Sequence, residues 1–221
     1  MKLLISAILL TLTASTACAS NPRVEMQTNA GNIIVELYPD KAPKTVENFL
    51  YYVKTGFYDG TVFHRVIKSF MVQGGAFDKT LDWREPSASP IANEAKNGLP
   101  NEPGTLAMAH DRDPNSATSQ FFINLESNKH LNHHGDDPGY YGHCVFGKIV
   151  KGMEVMQQIA ERPTGASGPF SADVPLTPIV IEKVALLEEA NESLPVKSKS
   201  KRKGKSNGKT KNEPRRHLAG T

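Results

Sequence analysis

Cysteine and tryptophan are scarce in these 221 residues: there are two cysteines, Cys18 and Cys144, and one tryptophan. Cys18 sits in or at the edge of a removable N-terminal segment, so no intramolecular disulfide is expected in the mature chain. Stability then has to come from core packing. Long apolar runs are missing except for Leu3 to Leu12, which is too short to serve comfortably as a permanent membrane anchor. No internal repeat occurs, which removes solenoid arrays. No Gly-rich phosphate loop of the usual spacing is present, and Ser119 lacks a nucleophile-elbow context, which argues against nucleotide and serine-hydrolase chemistry. Scattered glycines and prolines argue against a helical bundle or a collagen-like array.

The opening MKLLISAILLTLTASTACAS has the layout of a secretory signal peptide: Lys2, an apolar run, then small residues. Two cleavage readings remain open. Ala17-Cys18-Ala19 fits cutting before Ser20, which makes residues 1–19 the leader and the protein periplasmic or secreted. The alternative is a loose lipoprotein box ending at Cys18, which would anchor the chain through that cysteine. At the other end, KSKSKRKGKSNGKTKNEPRRHLAGT carries ten Lys or Arg against Glu213 alone. Subtracting that +9 from the formal +3 of the whole chain leaves −6 for residues 1–196. So charged a segment cannot bury enough surface to offset its ordering entropy, and 191–221 is expected to be a disordered basic tail. Its charge suits anionic envelope polymers or a membrane surface.

Between these ends, VEMQTNAGNIIVELYPD reads as two strands joined at Asn29-Ala30-Gly31. Pro43 opens a helix in which Val46, Phe49, Leu50 and Val53 recur at helical spacing before Gly56 closes it. A second short helix is expected over Met153 to Ala160. TVFHRVI, GTLAMA, SQFFINL, HCVFGKIV and IVIEKVALL read as further short strands. The fold class is mainly β, and the pattern suits a closed antiparallel barrel with a helix over each opening. Two long loops, Ala76 to Pro103 and Glu126 to Gly142, are of the length that usually carries function.

FHRVIKSFMVQGG, Phe63 to Gly75, mixes an arginine, aromatics, a methionine and a glutamine on what looks like one strand and its exit. Followed by GTLAMA, SQFFINL and VFGKIVKGMEV, it resembles the successive signature blocks of the cyclophilins, the peptidyl-prolyl cis-trans isomerases. The likeness runs from about Val24 to Leu187, and the ATSQFFIN form with the leader is most similar to the bacterial periplasmic branch. The resemblance implies an isomerase domain over 20–190: a closed eight-stranded antiparallel β-barrel capped by two α-helices, with its substrate groove outside. It implies Arg65 as the catalytic arginine, Phe70, Met71 and Phe122 as the proline pocket, and Gln73 as the partner of Arg65. Leu131 and His143 would complete the pocket wall. Ala109 and His110 would meet the residue before proline, and His64 and His130 would join the substrate-binding set. Outward positions would then build the site and inward ones, such as Val66, Val72 and Phe121, the core.

Departures from the family pattern carry their own expectations. Many members have tryptophan where this chain has His130, which implies weak cyclosporin binding with isomerase activity kept. HDRDPNSAT around His110 differs from the shorter loop of eukaryotic members. HLNHHGDDPGYYGH offers His130, His133, His134, Asp136, Asp137 and His143, but in no closed zinc spacing, so no metal and no cofactor are expected. The implied partners are proline-containing polypeptides met by a monomer. The competing readings are a proline-binding adaptor in which turnover is incidental, and a chain whose basic tail is primary.

Overall fold

The computed structural model describes residues 20–187, which fall within one compact unit. The leader, Cys18 and the basic tail lie outside the described residues. The chain opens with the expected hairpin, β1 (Arg23–Thr28) and β2 (Gly31–Leu37), closed by Thr28 facing Gly31 across the Asn29-Ala30 turn. Val24, Met26, Ile33, Val35 and Leu37 alternate along the two strands and are fully buried, so one face of the hairpin is core.

Helix α1 (Pro43–Lys54) starts with proline in its first turn, where the missing N–H costs nothing and φ is already helical. Its free N-terminal donors are met from far along the chain: the Glu94 carboxylate accepts from the backbone of Lys44 (3.2 Å) and Thr45 (2.9 Å). A carboxylate there also complements the helix dipole. The buried stripe Val46, Phe49, Tyr52 and Val53 lies on the core, where the Phe49 ring meets Tyr58, Phe121 and Phe146 at centroid distances of 5.2–5.6 Å.

Eight strands form one antiparallel sheet in the order β10-β1-β2-β7-β5-β6-β4-β3. The remaining ones are β3 (Thr61–Ile67), β4 (Met71–Asp78), β5 (Thr105–Met108), β6 (Phe121–Asn124), β7 (Val145–Lys151) and β10 (Ile181–Leu187). Helix α2 (Met153–Ala160) buries Val155, Met156 and Ile159. Closure is looser than a closed barrel implies. The sheet curls until its edges meet at a single isolated bridge, Val62 to Val180, beside backbone bonds from Gly60 to Ile181 (2.8 Å) and from Phe63 to Ile179 (2.9 Å).

Two further features differ from expectation. The stretch from Phe63 to Gly75 is a hairpin, not one strand: β3 ends at Ile67, Ser69 turns the chain at φ 59°, and β4 begins at Met71. Turn chemistry without glycine or proline gave no punctuation to read. After α2 comes a further hairpin, β8 (Thr164–Ser167) and β9 (Phe170–Pro175), outside the main sheet. Neither strand alternates: β8 is mostly exposed, and β9 runs from half-buried and exposed residues to the buried pair Val174 and Pro175, so no strand was expected there.

Gly75 is required by space as well as conformation. It sits at φ 94°, and a Cβ there would lie 2.8 Å from the Ser119 carbonyl and 3.1 Å from the Phe121 ring. Gly75→Ala should therefore lower stability by about 2 kcal/mol or more, measured by urea unfolding; a loss under about 0.5 kcal/mol would show that β4 can move away.

Candidate active site on the outer face of the sheet

Two apolar clusters lie on opposite faces of β4, β5, β6 and β7. Val72, Leu106, Phe121, Ile123 and Phe146 belong to the main core. Their neighbours Met71, Ala107, Phe122 and Val145 form a separate cluster, with Phe70, Leu99, Ala109 and Leu131 packed against it. Inward and outward residues adjoin in sequence, as strand alternation demands.

Cross-strand register assembles the polar end of this outer face. Arg65 pairs with Gln73, Gln73 with Phe122, Phe122 with Ala107, and Ala107 with Val145. One row of directly opposed residues thus crosses five strands and shares one face. Arg65 reaches it through a register shift between Phe63 and Arg65. Phe63 and Val66 both pack in the core, so the extra residue between them leaves His64 and Arg65 both outside it. The Arg65 side chain is 44% exposed, and its Nε lies 3.7 Å from Asp173 Oδ2. Gln73 donates to Gln120 Oε1 at 3.1 Å, which fixes its amide beside the arginine.

The pocket wall is held by a buried amide network. Asn124 donates to Asn101 (3.0 Å) and to Thr105 Oγ1 (2.9 Å), and Asn128 donates to Asn124 (2.7 Å). The ends of this network grip the groove: Asn101 donates to the Leu131 carbonyl (3.0 Å) and Asn128 to the Phe70 carbonyl (2.9 Å). The His143 backbone N–H donates to Leu131 in turn (2.8 Å). Phe70 stacks on His130 at 5.7 Å, and Phe122 meets the His143 ring edge-on at 5.3 Å.

With this geometry in view, the comparisons are direct. Residues 23–186 match the family of cyclophilin type peptidyl-prolyl cis-trans isomerases. The chain is 51% identical over 165 residues to peptidyl-prolyl cis-trans isomerase cyp18 of Streptomyces antibioticus, covering 74% of this chain and 98% of that one. It is 47% identical to isomerase B of Escherichia coli K12, covering 75% and 99%. It belongs to the cyclophilin-type peptidyl-prolyl cis-trans isomerases. A crystal structure of a Cryptosporidium parvum cyclophilin has a TM-score of 0.65 at 28% identity, covering 76% of this chain and 98% of that one. The same protein has been crystallised in the presence of the dipeptide Ala-Pro, and matches with a TM-score of 0.64.

In this cyclophilin, Arg65, Gln73, Phe70, Met71, Phe122, Leu131, Ala109 and His143 all come together on the outer face. His110 stacks on His143 at 4.2 Å, with its nitrogens against the carbonyls of Asp111 (2.7 Å) and Gly142 (3.0 Å). His64 is placed apart from them: 3% exposed, it lies between Phe77 and Phe170, behind Arg65 rather than in the groove. Sequence reading missed Gln120 and the three asparagines, because their role is set by partners far along the chain. Trp83 was missed too; it lines a cleft of about 260 Å³ with Gln73, Ala109, His110 and Gln120. Among the described residues no group of three or more His, Cys, Asp or Glu is placed to hold a metal. His133 and His134 point to different partners, the carbonyls of Tyr141 (2.9 Å) and Lys129 (2.8 Å).

Burial holds the imidazoles of His143 and His64 neutral. His143 is lowered to about 4 by burial, with His110 adding to it. Its Nδ1 lies 3.1 Å from the Met108 carbonyl, which can only accept, so that nitrogen carries the proton. His64 is lowered to about 4 by burial and then by Arg65, and its Nδ1 has no hydrogen-bond partner among the described residues. Burial also pushes the Cys144 thiol up to about 12, which leaves it inert as a nucleophile at neutral pH.

A lowered imidazole has a defined effect on stability. Between its ordinary 6.5 and the folded value of about 4, the unfolded chain binds a proton that the folded chain refuses. Stability should thus be independent of this group above about pH 7 and fall as pH drops from 6.5 towards 4, by on the order of 3 kcal/mol. His64→Phe should remove about half of the slope of that part of the pH profile in thermal melts, leaving the share of His143; an unchanged slope would show that the His64 ring is not a source.

Proposed function

We propose that this cyclophilin catalyses rotation about X-Pro bonds at the row that starts with Arg65 and Gln73, and that it assists the folding of exported proteins. The observation that carries the site is the row itself. A permanent cation and an amide held by Gln120 stand at one end of an apolar cluster on a single face of the sheet.

The chemistry asks for little more. An amide resists rotation by ~18–20 kcal/mol because its C–N bond has partial double-bond character. In the twisted state the prolyl nitrogen loses that conjugation and becomes a hydrogen-bond acceptor. Arg65, protonated at any working pH, donates to that lone pair most strongly when the bond is twisted, so it lowers the barrier rather than merely binding the peptide. Phe122, Met71 and Leu131 hold the pyrrolidine ring while the acyl side turns, and Gln73, braced by Gln120, steadies the peptide backbone. A proline-binding adaptor would need the slot but no donor at its edge. No bond is made or broken, so no nucleophile, metal or redox group enters the scheme.

The leader layout supports export, and the charge of Lys197–Thr221 supports attraction to anionic envelope polymers or membrane surface. Both belong to the proposal and concern residues outside those described.

Two measurements test the site. Arg65→Ala should reduce kcat/KM for a proline tetrapeptide on the order of a hundredfold with circular dichroism unchanged; retention of more than half the activity would remove Arg65 from the mechanism. His130 is exposed and offers cyclosporin neither an indole donor nor a broad apolar face. His130→Trp should tighten cyclosporin binding at least about tenfold while leaving peptide turnover within about twofold. Tight binding by the unsubstituted protein, measured by calorimetry, would contradict this account of the groove.

A further inference from the structure

The β8–β9 hairpin stands outside the main sheet yet packs on the two consecutive β3 residues that the bulge turns away from the core. Phe170 of β9 stacks on His64 at 5.4 Å, and Asp173 of the same strand stands 3.7 Å from the Arg65 Nε. That carboxylate is the one ion-pair partner of Arg65 among the described residues, and the terminal nitrogens of the guanidinium have no hydrogen-bond partner among them. The backbone at Asp173 is left-handed, φ 67°, a conformation that few residues other than glycine, asparagine and aspartate adopt readily. The two residues that follow it are held in place. Val174 is buried, Pro175 pairs with Thr164, and Val174 pairs with Gly165 across the hairpin.

We propose that Asp173 is a positioning residue for Arg65, and that the β8–β9 hairpin braces the guanidinium in the orientation the isomerase site requires. The inference rests on the role proposed for Arg65. A guanidinium is planar, with its Nε edge opposite the free ends of its two terminal amino groups. A carboxylate beside Nε leaves the terminal donors for the groove and restricts rotation of a long side chain that is otherwise half exposed. Solvent screens the pair, with Asp173 itself 37% exposed, so its contribution is orientation more than attraction. Phe170 completes the brace by seating the hairpin on His64, the residue before the arginine.

The test separates side chain from backbone. Asp173→Asn and Asp173→Gly both accept the left-handed conformation, so each removes the charge without forcing the hairpin to refold. Exchange of a proline tetrapeptide is followed in the full chain, and the Arg65 Nε–H order parameter is measured by NMR. Both variants should lower kcat about three- to tenfold, with KM within about twofold and the order parameter reduced. In an Arg65→Ala background, Asp173→Asn should cost nothing further. Unchanged kcat in both variants, or the same fractional loss with Arg65 already removed, would overturn the proposal. An inactive unsubstituted protein would instead refute the isomerase reading, and the order parameter would still report whether Asp173 holds the side chain.

Discussion

A strand cannot bury one side chain without turning its neighbour the other way, and the site depends on that constraint. Along β6, Phe121 goes to the core and Phe122 to the groove; along β4, Val72 and Met71 divide in the same way. Both sets are apolar, so β4, β5 and β6 are buried on both faces even though only one face belongs to the main core. A rigid interior therefore positions an external slot directly, with one backbone serving as wall to both. The same constraint explains why the bulge before Arg65 matters: Phe63 and Val66 are three residues apart, and in a regular strand without the bulge one of them would leave the core.

What the sheet cannot supply comes from loops, and the loops are held by polar groups without solvent. Asn101, Asn124 and Asn128 are buried and bonded to one another, and Asn101 and Asn128 also donate to the carbonyls of Leu131 and Phe70. In a low-dielectric setting such a network is stable only when its members are satisfied, which leaves Leu131 and Phe70 few alternative positions. Glu94 plays a similar part for the long loop before β5, since its carboxylate ties that loop to the start of α1. Aromatic and amide contacts thus give an exposed groove the rigidity of an interior.

Much of this was legible before any coordinates. Both helices follow their apolar spacing, and α2 matches its expected bounds. The first hairpin follows from its alternation, and Val66, Val72 and Phe121, expected inward once the family resemblance was recognised, lie in the main core. Legibility failed where the local signal was weak or shared. The turn at Ser69 has no glycine or proline to mark it, so two strands read as one. β8 is too exposed, and the burial of β9 too uneven, for either to alternate clearly. His64 resembles its neighbour Arg65 in position but not in surroundings, since its burial depends on Phe170, about a hundred residues later in the chain.

The sequence by itself determined the element types, the split of each strand into two faces, and the family to which its motif blocks belong. These depend on period and composition, which are local properties. Only the tertiary structure decided that Arg65, Gln73, Phe122, Ala107 and Val145 form one row, that the sheet edges meet at a single bridge, and that Asp173 stands beside the arginine. Register and long-range contact are set by how whole surfaces fit together, and no stretch of the chain carries that information alone.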